Sequence, residues 1–415
     1  MSDKEQDNTP QALIGLAPLM RQAFSGIDLR PFGARLVERA KAYPHDANTL
    51  MDLSTVLQLT GNRELGLAAQ GQALKLQQHY RLATATKPAT IRLLCIVAGG
   101  DLMANTPVEF LVEGGDVALD LLYVDAGLPL PSTLPDHDLI FVAVGESDHN
   151  RPLLKEIGER AKEWASPVLN APGRIAQLSR NGACALLHDA PGIAMPLSVR
   201  VARTLLDQVA DGRMALSSIL PGGAFPIIVR PVGSHAGHDL DKIEDASKLA
   251  AYLAAIAPDA VAEFYISRFV DYRGADGLFR KYRIMLIDGR PYVCHMAISE
   301  HWMIHYLNAG MAENAAKRAE EARFMATFEM GFALRHARAF QSVDEVLQLD
   351  YVGLDCAESR DGELLIFEAD SDMVVHNMDP VDMFPYKVPA MRKIFDAFHA
   401  MLVGRIERHR RAQSS

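Results

Sequence analysis

The 415-residue chain has few of the features that mark secreted, membrane-bound or nucleic-acid-binding proteins. It holds only four cysteines, Cys95, Cys184, Cys294 and Cys356, scattered through apolar runs. Neither a disulfide framework nor a zinc spacing can be built from them, and buried reduced thiols are expected. No uncharged apolar run approaches the roughly 20 residues a membrane helix needs. The first residues, MSDKEQDNTPQ, lack the basic start and apolar centre of a secretory signal. A cytoplasmic location is the expectation. Positive charge is in deficit as well: 42 Lys and Arg against 52 Asp and Glu give a net charge of -10, the wrong balance for a general nucleic-acid binder. With 49% hydrophobic and 23% charged residues, the composition is that of a globular protein with a large core.

Such a length predicts two to three domains. Residues 1–88 read as a helical region from Gln11 to about Thr86, with a Gly61-Asn62 turn between two helices. That piece resembles one tetratricopeptide-type hairpin. A single copy cannot form a solenoid, so a packing or dimerising cap is the preferred reading and recruitment of a protein or peptide partner the alternative. After the linker TKPAT, residues 89–170 carry apolar strands at IRLLCIVAGG, ALDLLYVD and DLIFVAVG, then a helix over 151–164. This alternation predicts a doubly wound α/β domain. Residues 171–262 follow, with a strand expected at ACALLHDAPG, a helix at SVRVARTLLDQVA, and the run FPIIVRPVGSHAGHDL. There an apolar strand delivers Arg230 into a loop holding Gly233, Ser234, His235 and Gly237. Glycines let backbone N–H groups approach an anion, and a cation at a strand end can meet phosphate oxygens.

Residues 263–415 contain two hairpins. The first, LFRKYRIMLIDGRPYVCHMAIS, turns at Asp288-Gly289 and carries Arg280, Lys281 and Arg283 in a strand otherwise rich in Tyr, Ile, Met and Leu. That charge suggests a site for an anion, with a solvated strand edge as the plain alternative. A long helix is expected over 312–336. The second hairpin, YVGLDCAESRDGELLIFEAD, turns at Asp361-Gly362. A two-residue turn there places Asp355 directly opposite Glu368, with Asp370 two residues further on the same face. Like charges opposed across a ladder are destabilising. A hard cation relieves them, and oxygen-only ligands suit magnesium or calcium.

With these pieces in order, the chain resembles the ATP-grasp superfamily of carboxylate–amine ligases, which includes glutathione synthetase, D-alanine–D-alanine ligase and the ribosomal-protein glutamate ligase. The resemblance covers about Ile91 to Pro389. It implies an ATP-grasp fold: an α/β domain, then two α+β subdomains, preceded here by the small helical domain. It implies ATP held by Arg230 and the Gly233, Ser234 and Gly237 loop. It places the adenine at Glu263, Phe264, Tyr265 and Ile266, and the ribose at Asp271. Two magnesium ions would be held by Asp355, Glu368 and Asp370. Arg283 would be the catalytic cation that stabilises an acyl phosphate and the tetrahedral intermediate. His235, Lys281, His295, His301, Trp302 and His305 are candidates for the substrate pocket. The chain departs from the family in having Arg230 for a lysine, Asp370 for an asparagine, and Lys281 where an acid is usual.

The function so implied is ATP-dependent joining of a carboxylate to an amine, with a peptide or protein among the candidate substrates. The alternatives are a small-metabolite or amino-acid ligase whose helical cap dimerises the chain, and a nucleotide-binding scaffold without catalysis. A homo-oligomer is expected, and no nucleic acid or membrane partner.

Overall fold

A computed structural model describes residues 11–82, 84, 88–234, 237–257 and 260–414. The chain divides into two compact units, Met1–Ala176 with Ser371–Ser415, and Gln177–Asp370.

In the first unit the apolar runs become a five-stranded sheet of order β1-β3-β2-β4-β5. Its strands are β1 (His79–Arg81), β2 (Ile91–Ala98), β3 (Val117–Val124), β4 (Leu139–Val142) and β5 (Val168–Leu169). β2 to β5 run parallel, and the near-continuous apolar text of β2 and β4 reflects burial on both faces. β1 corrects the expectation of helix up to Thr86. It pairs antiparallel with β3, and His79 Nε2 (2.6 Å) and Arg81 Nε (2.8 Å) both reach Oδ1 of Asp120, a carboxylate only 1% exposed. A buried acid needs partners, and the edge strand supplies them.

Among the described residues four helices precede the sheet, Leu16–Phe24, Arg30–Ala42, Ala47–Leu59 and Arg63–Leu76, and the expected turn at Gly61-Asn62 joins the last two. They share a core of Leu19, Leu29, Leu36, Leu53, Val56 and Ala69. Two distant carboxylates meet the start of the first helix. Asp52 accepts from the backbone N–H groups of Ile14 and Gly15, each at 3.0 Å, and Glu109 Oε2 accepts from Ala17 at 2.9 Å. Burial pushes the Asp52 carboxyl up to about 6 and that of Glu109 up to about 7.

The C-terminal helix, Lys387–Gln413, also belongs to this unit, whereas the sequence grouped it with residues 263–415. Its Phe398 is fully buried edge-on to Phe141 of β4, with ring centroids 5.7 Å apart. An apolar helix face goes where a sheet face is open, and chain order does not specify where that is.

The second unit holds two mainly antiparallel sheets. One has the order β7-β10-β8-β9, from β7 (Ser198–Ala202), β8 (Ile227–Pro231), β9 (Asp241–Ile243) and β10 (Glu263–Arg268). The other has the order β12-β11-β13-β14-β6, from β6 (Ile193–Ala194), β11 (Phe279–Ile287), β12 (Arg290–Ser299), β13 (Tyr351–Glu358) and β14 (Leu364–Asp370). One mainly parallel α/β sheet and two α+β sheets match the expected fold class.

Three local expectations change. ACALL lies in a helix, Arg180–Leu187, whose first turn is capped by the Ser179 side chain accepting from Gly182 N. The β-branched text SVRVA is strand β7, and the helix begins only at Arg203. The helix expected over 312–336 is broken into Ala315–Thr327 and Phe332–Arg335, followed by Ala337–Leu347. Gly331 sits at the break.

Candidate active site

The β11–β12 hairpin closes as its sequence demands. Asp288 and Gly289 are the only residues between paired Ile287 and Arg290, and both have positive φ, 48° and 74°. A two-residue turn whose twist matches the strands needs that conformation. The β13–β14 hairpin reaches the expected pairing by another route. Ser359 N donates to Glu363 O at 2.9 Å, so the turn has three residues, Arg360, Asp361 and Gly362. Near the tip Cys356 pairs with Ile366; one residue further in, Asp355 pairs with Glu368. Phe367 is the extra residue, a bulge that restores the register a two-residue turn would have set.

A second bulge lies at the same level. Arg283 pairs with His295 while Ile284 pairs with Val293, which leaves Cys294 extra on β12. Arg283 also pairs with Asp355. The result is one row across four adjacent strands, His295, Arg283, Asp355 and Glu368, with a bulge beside it on each flank. Bulges re-aim side chains and concentrate next to active sites.

Cations neutralise the acids of this row. Arg283 forks onto Asp355, Nε to Oδ1 at 2.8 Å and Nη2 to Oδ2 at 3.1 Å, and Lys281 Nζ lies 2.7 Å from Oδ2. Asp355 is 2% exposed. Burial alone would raise its carboxyl; Arg283 and Lys281 outweigh burial and hold it well below the usual carboxylate range. Glu368 Oε1 accepts from Arg180. Arg180 is the candidate that the sequence reading missed, because the strand expected at ACALLHDAPG leaves residue 180 in an unassigned stretch before it. The signal was Ser179 ahead of an apolar run, a helix start that puts residue 180 in the first turn.

Arg230, in β8, is 8% exposed and donates to the Ser234 carbonyl and, through Nε at 3.3 Å, to Ser234 Oγ. Burial and then the nearby Arg180 bring its guanidinium down to about 10, with Glu368 acting in the opposite sense. The loop that follows has Gly233 and Gly237 at φ of 77° and 76°, and a Cβ on Gly237 would lie 3.4 Å from Met303 Sδ. His235 lies outside the described residues.

Strand alternation splits the proposed adenine segment. Phe264 and Ile266 are buried in the core of their sheet with Leu206, Val229 and Leu249. Glu263 and Tyr265 face the other way, Tyr265 directly opposite Arg230 and Glu263 ion-paired with Arg200. Asp271 is bound by Arg273 and Arg360, and the Arg273 bond first of all lowers its carboxyl to about 2.

The substrate candidates separate likewise. His295 packs against Tyr306 with the rings tilted and their centroids 4.5 Å apart. Burial, then Lys281 and Arg283, hold the His305 imidazole below its usual range. His301 is exposed, and Trp302 packs edge-on to Phe269.

The donor set fits a hard cation at Glu368 and Asp370, neighbours on one face of β14. It does not fit one at Asp355, whose two oxygens already take three contacts from two cations, Arg283 and Lys281. Among the described residues, no group of three or more His, Cys, Asp or Glu side chains is placed to hold a metal ion. Also among them, no helix is long and apolar enough to cross a membrane.

No protein-family model and no curated protein matches the chain. Solved structures do. A D-alanine–D-alanine ligase from Bacillus anthracis, complexed with ATP, is similar at 14% identity and a TM-score of 0.45, over 78% of this chain and 99% of that one. The VanG D-Ala:D-Ser ligase from Enterococcus faecalis is similar at 14% identity and a TM-score of 0.45, over 75% and 99%. A RimK-domain ATP-grasp protein from Sphaerobacter thermophilus is similar at 13% identity and a TM-score of 0.40, over 74% and 99%.

Proposed function

We propose that the chain is an ATP-dependent carboxylate–amine ligase of the ATP-grasp type, and that residues 177–370 carry its chemistry. The observation that supports this most is the row His295, Arg283, Asp355 and Glu368, flanked by Arg180, Lys281 and Arg230. Four cations around two paired acids form a field suited to a polyanion that arrives with a metal. A surface hairpin has no need of either.

A carboxylate is a poor acylating agent. In the proposed reaction its oxygen attacks the γ-phosphorus of ATP, ADP leaves, and an amine then attacks the acyl phosphate and expels inorganic phosphate. Arg230 and the Gly233 to Gly237 loop hold the phosphates, with Arg180 at their other side. Asp355 fixes the plane of the Arg283 guanidinium so that it faces charge developing on the transferred group. Glu263 and Tyr265, on the face of β10 that carries Arg230 opposite, place the nucleoside. Magnesium bound with the nucleotide supplies neutralisation of the triphosphate, and Glu368 and Asp370 are the residues that would hold it.

The test is ADP and phosphate release from magnesium ATP against pools of amino acids, dicarboxylates and peptides, for wild type and Glu368→Ala. Release that depends on one pool and vanishes in the variant is the expected result. Tight nucleotide binding without release from any pool, including peptide and protein fractions, would favour a scaffold over a ligase.

A further inference from the structure

We infer that Asp355 is an anchor that positions Arg283 and Lys281, not a metal ligand, so that nucleotide binds this chain with a single divalent ion. The inference rests on the ligase reading above and specifies its metal requirement.

A carboxylate offers about four acceptor positions on two oxygens. In Asp355, Arg283 Nε takes Oδ1, and Arg283 Nη2 and Lys281 Nζ share Oδ2. All three are charge-assisted contacts to a side chain 2% exposed. Magnesium demands near-octahedral geometry at about 2.0–2.1 Å and keeps several waters. To bind Asp355 it would have to displace one of these charge-assisted contacts, and would then stand beside Arg283 and Lys281 as a third concentration of positive charge. Removing one partner from a buried ion pair is strongly unfavourable.

Glu368 is in a different situation. Its bond to Arg180 uses Oε1, and its side chain is 31% exposed. Asp370 lies two residues on along the same face, opposite Gly353, which brings no side chain. Two carboxylates there are enough for one hard cation that keeps waters and phosphate oxygens in its other positions.

The experiment uses the full chain, Mn2+ as the paramagnetic probe and a non-hydrolysable β,γ-imido analogue of ATP. Bound Mn2+ is counted from the free-ion resonance at saturating nucleotide. One ion per chain is expected in wild type, a measurement that needs no variant to fold. Asp355→Asn should still bind one ion with nucleotide, its apparent Mn2+ affinity within about threefold of wild type, while Glu368→Gln weakens it about tenfold or more. Asp355→Asn should lower kcat for ADP release and leave the nucleotide KM unchanged, as a positioning role requires. Two ions in wild type, one of them lost in Asp355→Asn, would overturn the inference and leave the ligase reading standing. Absence of nucleotide binding at any Mn2+ concentration would remove the ligase reading itself, and this inference with it.

Discussion

The pair Asp52 and Glu109 gives the first unit a pH-dependent stability that can be worked out in advance. Asp52 is 1% exposed, and burial raises its carboxyl from 3.8 to about 6. Its neighbours add no compensating cation: Asp46, itself paired with Arg39, raises it further, and Glu109 lies in the same field. Between pH 4 and 6 the folded state keeps a proton that the unfolded chain has released. Stability is therefore fully present below pH 4 and lost as pH rises to about 6. A displacement of about two pH units corresponds to ~3 kcal/mol, a factor of about 100 in the folding equilibrium. Glu109 acts with the same sign up to about pH 7. Asp52→Asn should remove the Asp52 part, leaving a variant less stable than wild type at pH 4 and closer to it, or above it, at pH 7. Urea unfolding at half-unit pH steps in a Trp302→Phe background leaves Trp164 to report on this unit. If the difference between variant and wild type were constant from pH 4 to 7, the assignment of a raised carboxyl at Asp52 would be refuted.

Four shorter expectations follow from other contacts. Arg180→Ala removes a charge-assisted partner of Glu368 and a cation beside Arg230, and should weaken ATP binding by roughly 10- to 100-fold, read by calorimetry. Asp355→Asn strands Arg283 and Lys281 and should cost about 3–5 kcal/mol in the second unit, read as urea midpoint; adding Lys281→Met should recover part of it. Phe398→Ala empties a fully buried site against Phe141 and should cost about 3–5 kcal/mol in the first unit, read through Trp164. His301→Ala, at an exposed residue, should leave turnover of the true substrate unchanged, whereas His305→Ala should alter KM or kcat.

Much of the fold is legible because local signals agree with it. The continuous apolar text of β2 and β4 and the Asp288-Gly289 turn each specify one structure. ACALL does not, since five apolar residues carry no usable period, and only the Ser179 cap distinguishes helix from strand. SVRVA joins the following helix in the text, and only its β-branched content separates them. The position of the C-terminal helix depends on which sheet face lies open, a fact held far away in the chain. Four of the residues singled out in the sequence, Arg230, Arg283, Asp355 and Glu368, stand near one another in residues 177–370. What sequence could not give was the pairing of charges. The three carboxylates suggested a metal as the remedy for their repulsion, whereas Asp355 meets Lys281 and Arg283 and Glu368 meets Arg180. The opposition of Asp355 and Glu368 was anticipated through an incorrect turn, because the longer loop and the Phe367 bulge cancel.

That cancellation makes the hairpin a two-part element. Outside Phe367 the ladder follows the count set by Arg360, Asp361 and Gly362; inside it, the count that aligns the charged row. Loop-length variation between the strands can therefore be absorbed at the tip, since the inner alignment is set where the bulge sits. A lineage, or an engineer, is free to rebuild residues 359–363 for a new neighbour while the chemistry stays in place, and even removal of Phe367 would leave Glu368 opposite Asp355, in a ladder without its bulge.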